Sequence, residues 1–221
     1  MSASTSNNLP CLYSFRRCPY AMRARMAIRA SQLQVELREV VLKNKPAEML
    51  EASPKATVPV LVTEQNQVID ESLDIMHWSL QQNDPYQWLR PEHAEVTEKL
   101  IRYNDNIFKI HLDHYKYFER FPEQPQISYR EKGEQFLAQL EQQLCNTRYL
   151  VDDHASLADI AIFPFIRQFA HVDLDWFNHS KYTALNQWLN EWLNSDLFTS
   201  VMHKHPPWDK HRDKHQKTIL L

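Results

Sequence analysis

A single glycine, Gly133, serves the whole 221-residue chain, where average usage of about 7% would supply many more. Turns, helix ends and left-handed backbone positions must therefore be built from Asn, Asp, Pro and Ser, with Asn and Asp expected at the left-handed ones. The same scarcity excludes glycine-rich phosphate loops, because their backbone must approach the ligand more closely than side chains allow. Nucleotide binding by such a loop is closed to this chain.

Composition narrows the class further. With 43% hydrophobic and 24% charged residues, the chain is globular and long enough for one large domain or two small ones, each with its own core. A formal net charge of −3 gives no electrostatic case for nucleic acid or for an anionic membrane surface. The polar segment Met1 to Pro10 lacks the charged-then-apolar order of a secretory signal, and no apolar run approaches the roughly 18–20 residues of a membrane helix. Cys11, Cys18 and Cys145 are odd in number and widely spread, so no disulfide scaffold is expected. A reducing, cytoplasmic setting fits, and it leaves a single thiol free to act as a nucleophile.

Two regimes divide the chain. Up to about Gln82, short β-branched runs alternate with helical patterns. Strands are expected over Leu9–Phe15, Glu36–Leu42, Val60–Thr63 and Val68–Asp70, the last two joined by a turn at Glu64–Gln67. Helices are expected from Pro19 to Ala30, from Pro46 to Ala52, and from a Ser72 cap to Gln82. Asn83–Pro91, with two prolines, reads as a linker. Beyond it only helical patterns follow, at Glu92–Glu119, Ser128–Leu144, Leu157–Ala170 (with Pro164 inside, expected to kink it) and Thr183–Leu193. The expected organisation is an α/β domain over 1–82, a linker over 83–91 and an all-helical domain over 92–221.

Cys18 is the first candidate for chemistry. It stands where a strand turns into a helix, with Arg16 and Arg17 just before it, and both helix N–H groups and positive charge favour thiolate over thiol. Cys18-Pro19-Tyr20-Ala21 has the outline of a redox C-x-x-C motif whose second cysteine is replaced by Ala21. One thiol can form a mixed disulfide but cannot resolve it within the motif, so a small external thiol must finish the reaction. A buried, inert cysteine satisfies the same position, and Cys11 and Cys145 are assigned that bland role.

Thr57-Val58-Pro59-Val60 adds a proline before a strand, and a cis Val58–Pro59 bond would turn the Val58 backbone outward to pair with a peptide-like ligand. Glu71-Ser72 opens the next helix, where a capping serine, free N–H groups and an acid form a receptor for the α-amino-acid end of a ligand. Taken alone, the pair is better explained by simple capping beside a solvated acid. His203, His205, His211 and His215 stand among lysines in the tail without a third ligand at a telling spacing. No metal site is assigned there, and the tail is expected to be a solvated basic end or a cap over an active-site cleft.

In their order, Cys18-Pro19-Tyr20-Ala21, Leu42-Lys43-Asn44-Lys45-Pro46, Thr57-Val58-Pro59-Val60 and Glu71-Ser72 resemble the pattern of glutathione transferases, most closely the cysteine-type classes, omega and its bacterial relatives. His154-Ala155-Ser156-Leu157-Ala158-Asp159 resembles the capping box of that family's core helix, with Ser156 and Asp159 as its partners and Ala155 and Ile160 as a hydrophobic staple. The resemblance covers nearly the whole chain. It implies a thioredoxin-like N-terminal domain, a helical-bundle C-terminal domain, glutathione as cosubstrate and a homodimer.

It also implies that glutathione places its sulfur at Cys18 and its cysteinyl backbone on Val58 beside Pro59. The γ-glutamyl end would meet Glu71 and Ser72, and the glycine carboxylate would meet Lys45. Ala56 departs from the glycine that relatives commonly carry before Thr-Val-Pro; a positive φ there would be strained. A second-substrate pocket is expected against the first long C-terminal helix, at Tyr103, Asn104, Phe108, His111 and Tyr115, although aromatics at helical spacing serve a core more often than a pocket.

Three functions follow from this reading. In the first, Cys18 runs thiol transfer or reduction through a mixed disulfide, on a small-molecule disulfide or oxidant. In the second, glutathione is conjugated to a small electrophile or assists an isomerisation, with Ser14, Tyr13 or Tyr20 holding its thiolate. The third is a non-catalytic binding protein that keeps the fold without the reaction.

Overall fold

A computed structural model of the chain describes residues 9–210 and 220–221, so the first eight residues, His211 and His215 lie outside the described part. Two compact units are present: one takes the chain up to Pro85 together with the segment from Thr199 onward, the other takes Tyr86–Phe198.

The first unit is built on β1 (Cys11–Ser14), α1 (Pro19–Ala30), β2 (Glu36–Glu39), α2 (Ala47–Ala52), β3 (Val60–Val62), β4 (Val68–Ile69) and α3 (Ser72–Gln82). Its four strands run in the order β2-β1-β3-β4. β1 is parallel to β2, with Cys11 opposite Glu36, and antiparallel to β3, with Tyr13 opposite Val60. β3 and β4 form an antiparallel hairpin whose turn places Asn66 at φ 62°.

Period-two alternation splits the sheet's side chains between two cores. Leu12, Leu37 and Leu61 pack with Ala24 and Ile28 of α1 and Ile75 of α3. Cys11, Tyr13 and Val60 face the other way, against Met49 of α2. Each fully buried aliphatic side chain contributes roughly 1.5–3 kcal/mol of transfer free energy.

The tail departs from its expected place in a helical domain. Trp208 N–H donates to the Glu39 carbonyl at 2.8 Å, and its ring meets Tyr13 edge-on at 5.9 Å with Arg38 stacked over it at 4.7 Å. Leu220 bridges Glu36, while Leu221 donates to the Val35 carbonyl at 3.1 Å and packs on the Leu12 cluster. A tryptophan and a leucine in a basic tail find their burial on the sheet, which draws the segment from Thr199 into the first unit.

The second unit contains α4 (Ala94–Tyr103), α5 (Lys109–Lys116), α6 (Gln126–Leu144), α7 (Leu157–Ala170), α8 (Leu174–Asn178) and α9 (Thr183–Leu193), and α10 (Asp196–Val201) carries the chain back. The expected single helix over Glu92–Glu119 is interrupted. A 3-10 turn at Pro91–His93 precedes α4, and a π-helical stretch at Asn104–Phe108 separates α4 from α5. α7 runs through Pro164 and is buried along almost its whole length.

The start of α7 is fixed by Asp159, fully buried. One carboxylate oxygen accepts from Leu150 N–H at 3.0 Å and Trp188 Nε1–H at 2.9 Å. The other accepts from the Ser156 backbone N–H and hydroxyl, both at 2.8 Å. Burial raises the Asp159 pKa, and these four bonds oppose that rise. The capping box is thus tied to α9 and to the loop before α7. No helix among the described residues is long and apolar enough to cross a membrane.

Candidate functional site

Cys18 is the N-cap of α1, in extended backbone at φ −76° and ψ 124°, with Pro19 in the first turn. Its N–H donates to the Phe15 carbonyl at 3.0 Å, closing the turn out of β1, and its own carbonyl accepts the first helical bond, from Met22 N–H at 2.8 Å. The position is what a proline-started helix imposes: the cap residue is half outside, its side chain at the positive end of the helix dipole. The thiol is free and half-buried, whereas Cys11 is buried and Cys145 is exposed near the end of α6.

The Val58–Pro59 bond is cis. Cys18 Sγ lies 3.7 Å from the Val58 carbonyl oxygen, so the thiol and the loop before β3 form one site. Ala56 has φ 56°, the left-handed backbone that an alanine adopts only at a cost. The loop is held by Ser53, whose hydroxyl donates to Asp70 Oδ2 at 2.7 Å, and by Lys55, which pairs with Asp70 Oδ1 at 3.0 Å and Glu71 Oε1 at 2.7 Å. Ser53 and Lys55 together lower the Asp70 pKa, and Glu71, followed by Asp70, raises that of exposed Lys55.

Ser72 does not cap α3. Glu71 occupies the cap and Ser72 is the first helical residue, buried, with its hydroxyl oxygen accepting from Arg23 Nε–H at 3.0 Å. That bond leaves the Ser72 proton to point elsewhere, as a donor. Exposed Glu71 remains beside it. Lys45 is half-buried in the loop before α2, and no hydrogen bond or ion pair joins it to the other residues among those described.

Four charged residues around the site were not singled out from sequence: Arg23, Arg25, Glu39 and Lys55. Arg16 N–H donates to Glu39 Oε1 at 2.9 Å, and burial raises the Glu39 carboxyl pKa against this bond and the neighbouring arginines. The spacing offered a signal for one of them, because Arg25 stands seven residues after Cys18 and therefore on the same face of α1. Two of the three hydroxyls weighed as thiolate holders belong to buried residues. Ser14 is fully buried and accepts from Arg25, and Tyr13 is buried with its hydroxyl accepting from Arg38 at 2.7 Å.

In the second unit, Phe108 is fully buried between Phe136 and Phe169, and Tyr115 lies against Phe169. Tyr103 stacks on Phe136 at 5.0 Å. Asn104 is buried in the π-helical stretch, donating to Asp105 Oδ1 at 2.8 Å, and its own Oδ1 has no partner. His111 is half-buried with Nδ1 unpartnered, and burial lowers its pKa. Phe108 and Tyr115 are thus committed to the core of the unit, while Asn104 and His111 keep spare polar atoms. A cavity of about 560 Å³ opens nearby, lined by Tyr115, Arg130, Asp173 and Leu174 among others, and none of the other four expected pocket residues lines it. Among the described residues, no group of three His, Cys, Asp or Glu side chains is placed to hold a metal ion.

A half-exposed cap cysteine facing the loop of a cis-proline, on a four-stranded sheet unit followed by a helical one, defines a class that comparison identifies. Residues 12–88 match the family model of the glutathione S-transferase N-terminal domain, and residues 103–196 match that of the C-terminal domain. The chain belongs to the glutathione transferase superfamily, whose members are enzymes. It is 31% identical over 96 residues to a probable glutathione transferase of Aplysia californica, covering 97% of that protein and 43% of this chain. It is 24% identical over 204 residues to glutathione S-transferase omega-1 of Mus musculus, covering 91% of this chain and 79% of the relative. In fold it is similar to a glutathione transferase from Pseudomonas putida with one glutathione disulfide bound per subunit. That pair superposes with a TM-score of 0.77 at 18% identity, over 90% of this chain and 93% of the other.

Proposed function

We propose that the protein is a cysteine-type, glutathione-dependent thiol transferase or reductase, and that Cys18 is its nucleophile. The observation that carries this reading is the free, half-buried Cys18 thiol at the N-cap of α1, 3.7 Å from the Val58 carbonyl oxygen. The Cys18 thiolate attacks the glutathione sulfur of a mixed disulfide; the other thiol leaves and takes up a proton, and glutathione remains on Cys18. The thiolate of a second glutathione then attacks that sulfur, releasing glutathione disulfide and regenerating the Cys18 thiolate. Net, the mixed disulfide and one glutathione become the free thiol and glutathione disulfide, one disulfide bond being exchanged for another.

In this reading Val58 beside Pro59 pairs with the cysteinyl backbone of glutathione. Ser72 donates its proton to the γ-glutamyl carboxylate, Glu71 exchanges Lys55 for the ligand's ammonium group, and Lys45 meets the glycine carboxylate. The glutathione disulfide held by the Pseudomonas putida relative supports a site that accommodates this redox pair. A homodimer in a reducing, cytoplasmic compartment belongs to the same proposal, as does a second-substrate region that uses Asn104 and His111. Conjugation to electrophiles ranks second, because Cys18 stands at the α1 N-cap where a hydroxyl donor would be needed, and the Ser14 and Tyr13 hydroxyls belong to buried residues.

The test is turnover of the mixed disulfide of glutathione and 2-mercaptoethanol by wild type and Cys18→Ser. Turnover in wild type that drops to the uncatalysed background in the variant is expected. Equal turnover in both, or none in wild type, refutes the mechanism and brings conjugation forward.

A further inference from the structure

Arg25 is a cation taken out of water. It is 1% exposed, and its hydrogen bonds go to neutral acceptors. Nη1 donates to Ser14 Oγ at 2.6 Å and to the Phe15 carbonyl at 3.3 Å, and Nη2 donates to the Arg16 carbonyl at 2.8 Å. Nε donates to the Val201 carbonyl at 3.1 Å, and Met202 Sδ lies 3.6 Å from Nη2. Burial pulls its pKa down to about 10, against the pull of Glu39 and Cys18, and this leaves it charged at neutral pH.

Burying a guanidinium costs several kcal/mol unless its donors are satisfied, and an apolar residue of similar length fills such a space more cheaply. What the fork holds is therefore informative. Ser14, Phe15 and Arg16 are the three residues that carry the chain from the end of β1 to the turn before Cys18. The Phe15 carbonyl also accepts the Cys18 N–H, and Arg16 is gripped at both ends, its N–H by Glu39 and its carbonyl by Arg25. Seven residues after Cys18, Arg25 rises on the same face of α1, two turns along, and reaches back beneath the turn. Its remaining donor fastens the same group to Val201, at the start of the tail that is anchored by Trp208 and Leu221.

We infer that Arg25 is a positioning residue for Cys18: its forked guanidinium fixes the Ser14–Arg16 turn so that the thiol stands at the α1 N-cap facing the Val58 carbonyl, and it couples that turn to the Val201–Met202 segment. The inference rests on Cys18 being the reactive thiol, as proposed above. It adds a residue that touches neither glutathione nor the second substrate. Lysine, a point charge with three donors at one atom, cannot span the Ser14, Phe15 and Arg16 acceptors together.

The experiment uses the full chain with Arg25→Met, which removes charge and donors at similar length, and Arg25→Lys, which keeps the charge and loses the fork. Two readouts are taken at pH 7: the bimolecular rate of Cys18 alkylation by iodoacetamide without glutathione, assigned by mass on the Cys18 peptide, and kcat and KM for glutathione on the mixed disulfide. Alkylation and kcat are expected to fall together by roughly tenfold or more in Arg25→Met, with Arg25→Lys between it and wild type, because a small misplacement of a reacting atom costs that much. KM for glutathione stays within about twofold, since the groups proposed to bind it are untouched.

Alkylation at the wild-type rate in either folded variant overturns the inference, and so does a rise in KM with kcat unchanged. Where Arg25→Met fails to fold, Arg25→Lys, which keeps stem and charge, decides alone. Slowed alkylation in the variants of a chain that turns over no mixed disulfide refutes the proposed function and leaves the positioning role standing.

Discussion

Replacing the only glycine by alanine is the sharpest test of the packing. Gly133 lies in the interior of α6, where its backbone is ordinary helix and alanine gains about 1 kcal/mol in helix propensity. Propensity alone therefore makes Gly133→Ala stabilising. The structure reverses the sign. An added Cβ would stand 2.5 Å from Phe169 Cε2 and 3.1 Å from Cζ, where carbon atoms in good contact are roughly 3.5–4.0 Å apart.

Either the ring or the helix must move by about 1 Å to restore that separation. Phe169 is fully buried, with ring centroids of Tyr115 at 4.9 Å, Phe108 at 5.4 Å and Trp176 at 6.3 Å, so moving it disturbs three further aromatics. Overpacking of this kind costs roughly 1–3 kcal/mol. Set against the propensity gain, the expected net destabilisation is centred on about 1 kcal/mol, read as a loss of roughly 2–4 °C in melting temperature.

Urea unfolding followed by far-ultraviolet circular dichroism measures it, with Gly133→Ala, Phe169→Leu and the double variant in one cycle. In the Phe169→Leu background the clash is relieved and the alanine becomes neutral or stabilising, which gives a coupling energy of about 2 kcal/mol. Gly133→Ala at or above wild-type stability, or a double variant that is simply additive, refutes the argument that close approach of the Phe169 ring to α6 selects the glycine.

Two further predictions concern local backbone and protonation. Ala56→Gly, at φ 56°, is expected to stabilise the fold by roughly 0.5–1 kcal/mol, because the left-handed cost removed exceeds the entropy that glycine adds to the unfolded chain; a lower melting temperature for the variant counts against it. His77, His111 and His205 are half-buried, and burial lowers the pKa of each, so the folded state favours the neutral rings. The unfolded chain then binds protons near pH 6.5 that the folded chain does not, so their contribution is complete above that pH and is lost as pH falls through it. Denaturation between pH 7.5 and 6.0 is expected to show stability falling with pH, less steeply in His77→Gln. An identical slope in that variant refutes the assignment for His77.

How much of this was legible in the sequence depends on where the determining physics lies. α3, α7 and α9 begin and end where periodicity and turn residues put them, because those ends are set within a few residues of chain. α8 and α10, of five and six residues, are too short for periodicity to register. The break at Asn104–Phe108 carries no proline or glycine to announce it. Left-handed positions went to Gln32, Ala56 and Gln87 as well as to Asn66, so scarcity of glycine did not confine them to Asn and Asp. Ala56 alone was foreseeable, and only through the resemblance. The tail reads as basic by composition, while its placement is decided by Trp208 and Leu221, whose partners on the sheet are far away in sequence.

The same division separates the two halves of the candidate site. Cys18, Val58 with its cis-proline, Glu71 and Ser72 lie at element boundaries, where local sequence announces a cap, a turn or a helix start. The groups that orient them are charged side chains: buried Arg23 at Ser72, and buried Arg25 with half-buried Glu39 around the turn to Cys18. α1 places Arg23 and Arg25 in an otherwise apolar buried stretch, two cations where composition alone predicts surface. Each ends on an oxygen of the site or of the turn that presents it. A buried cation is costly enough that its partners mark what the fold cannot leave loose, and here they converge on the Ser14–Cys18 turn and on Ser72.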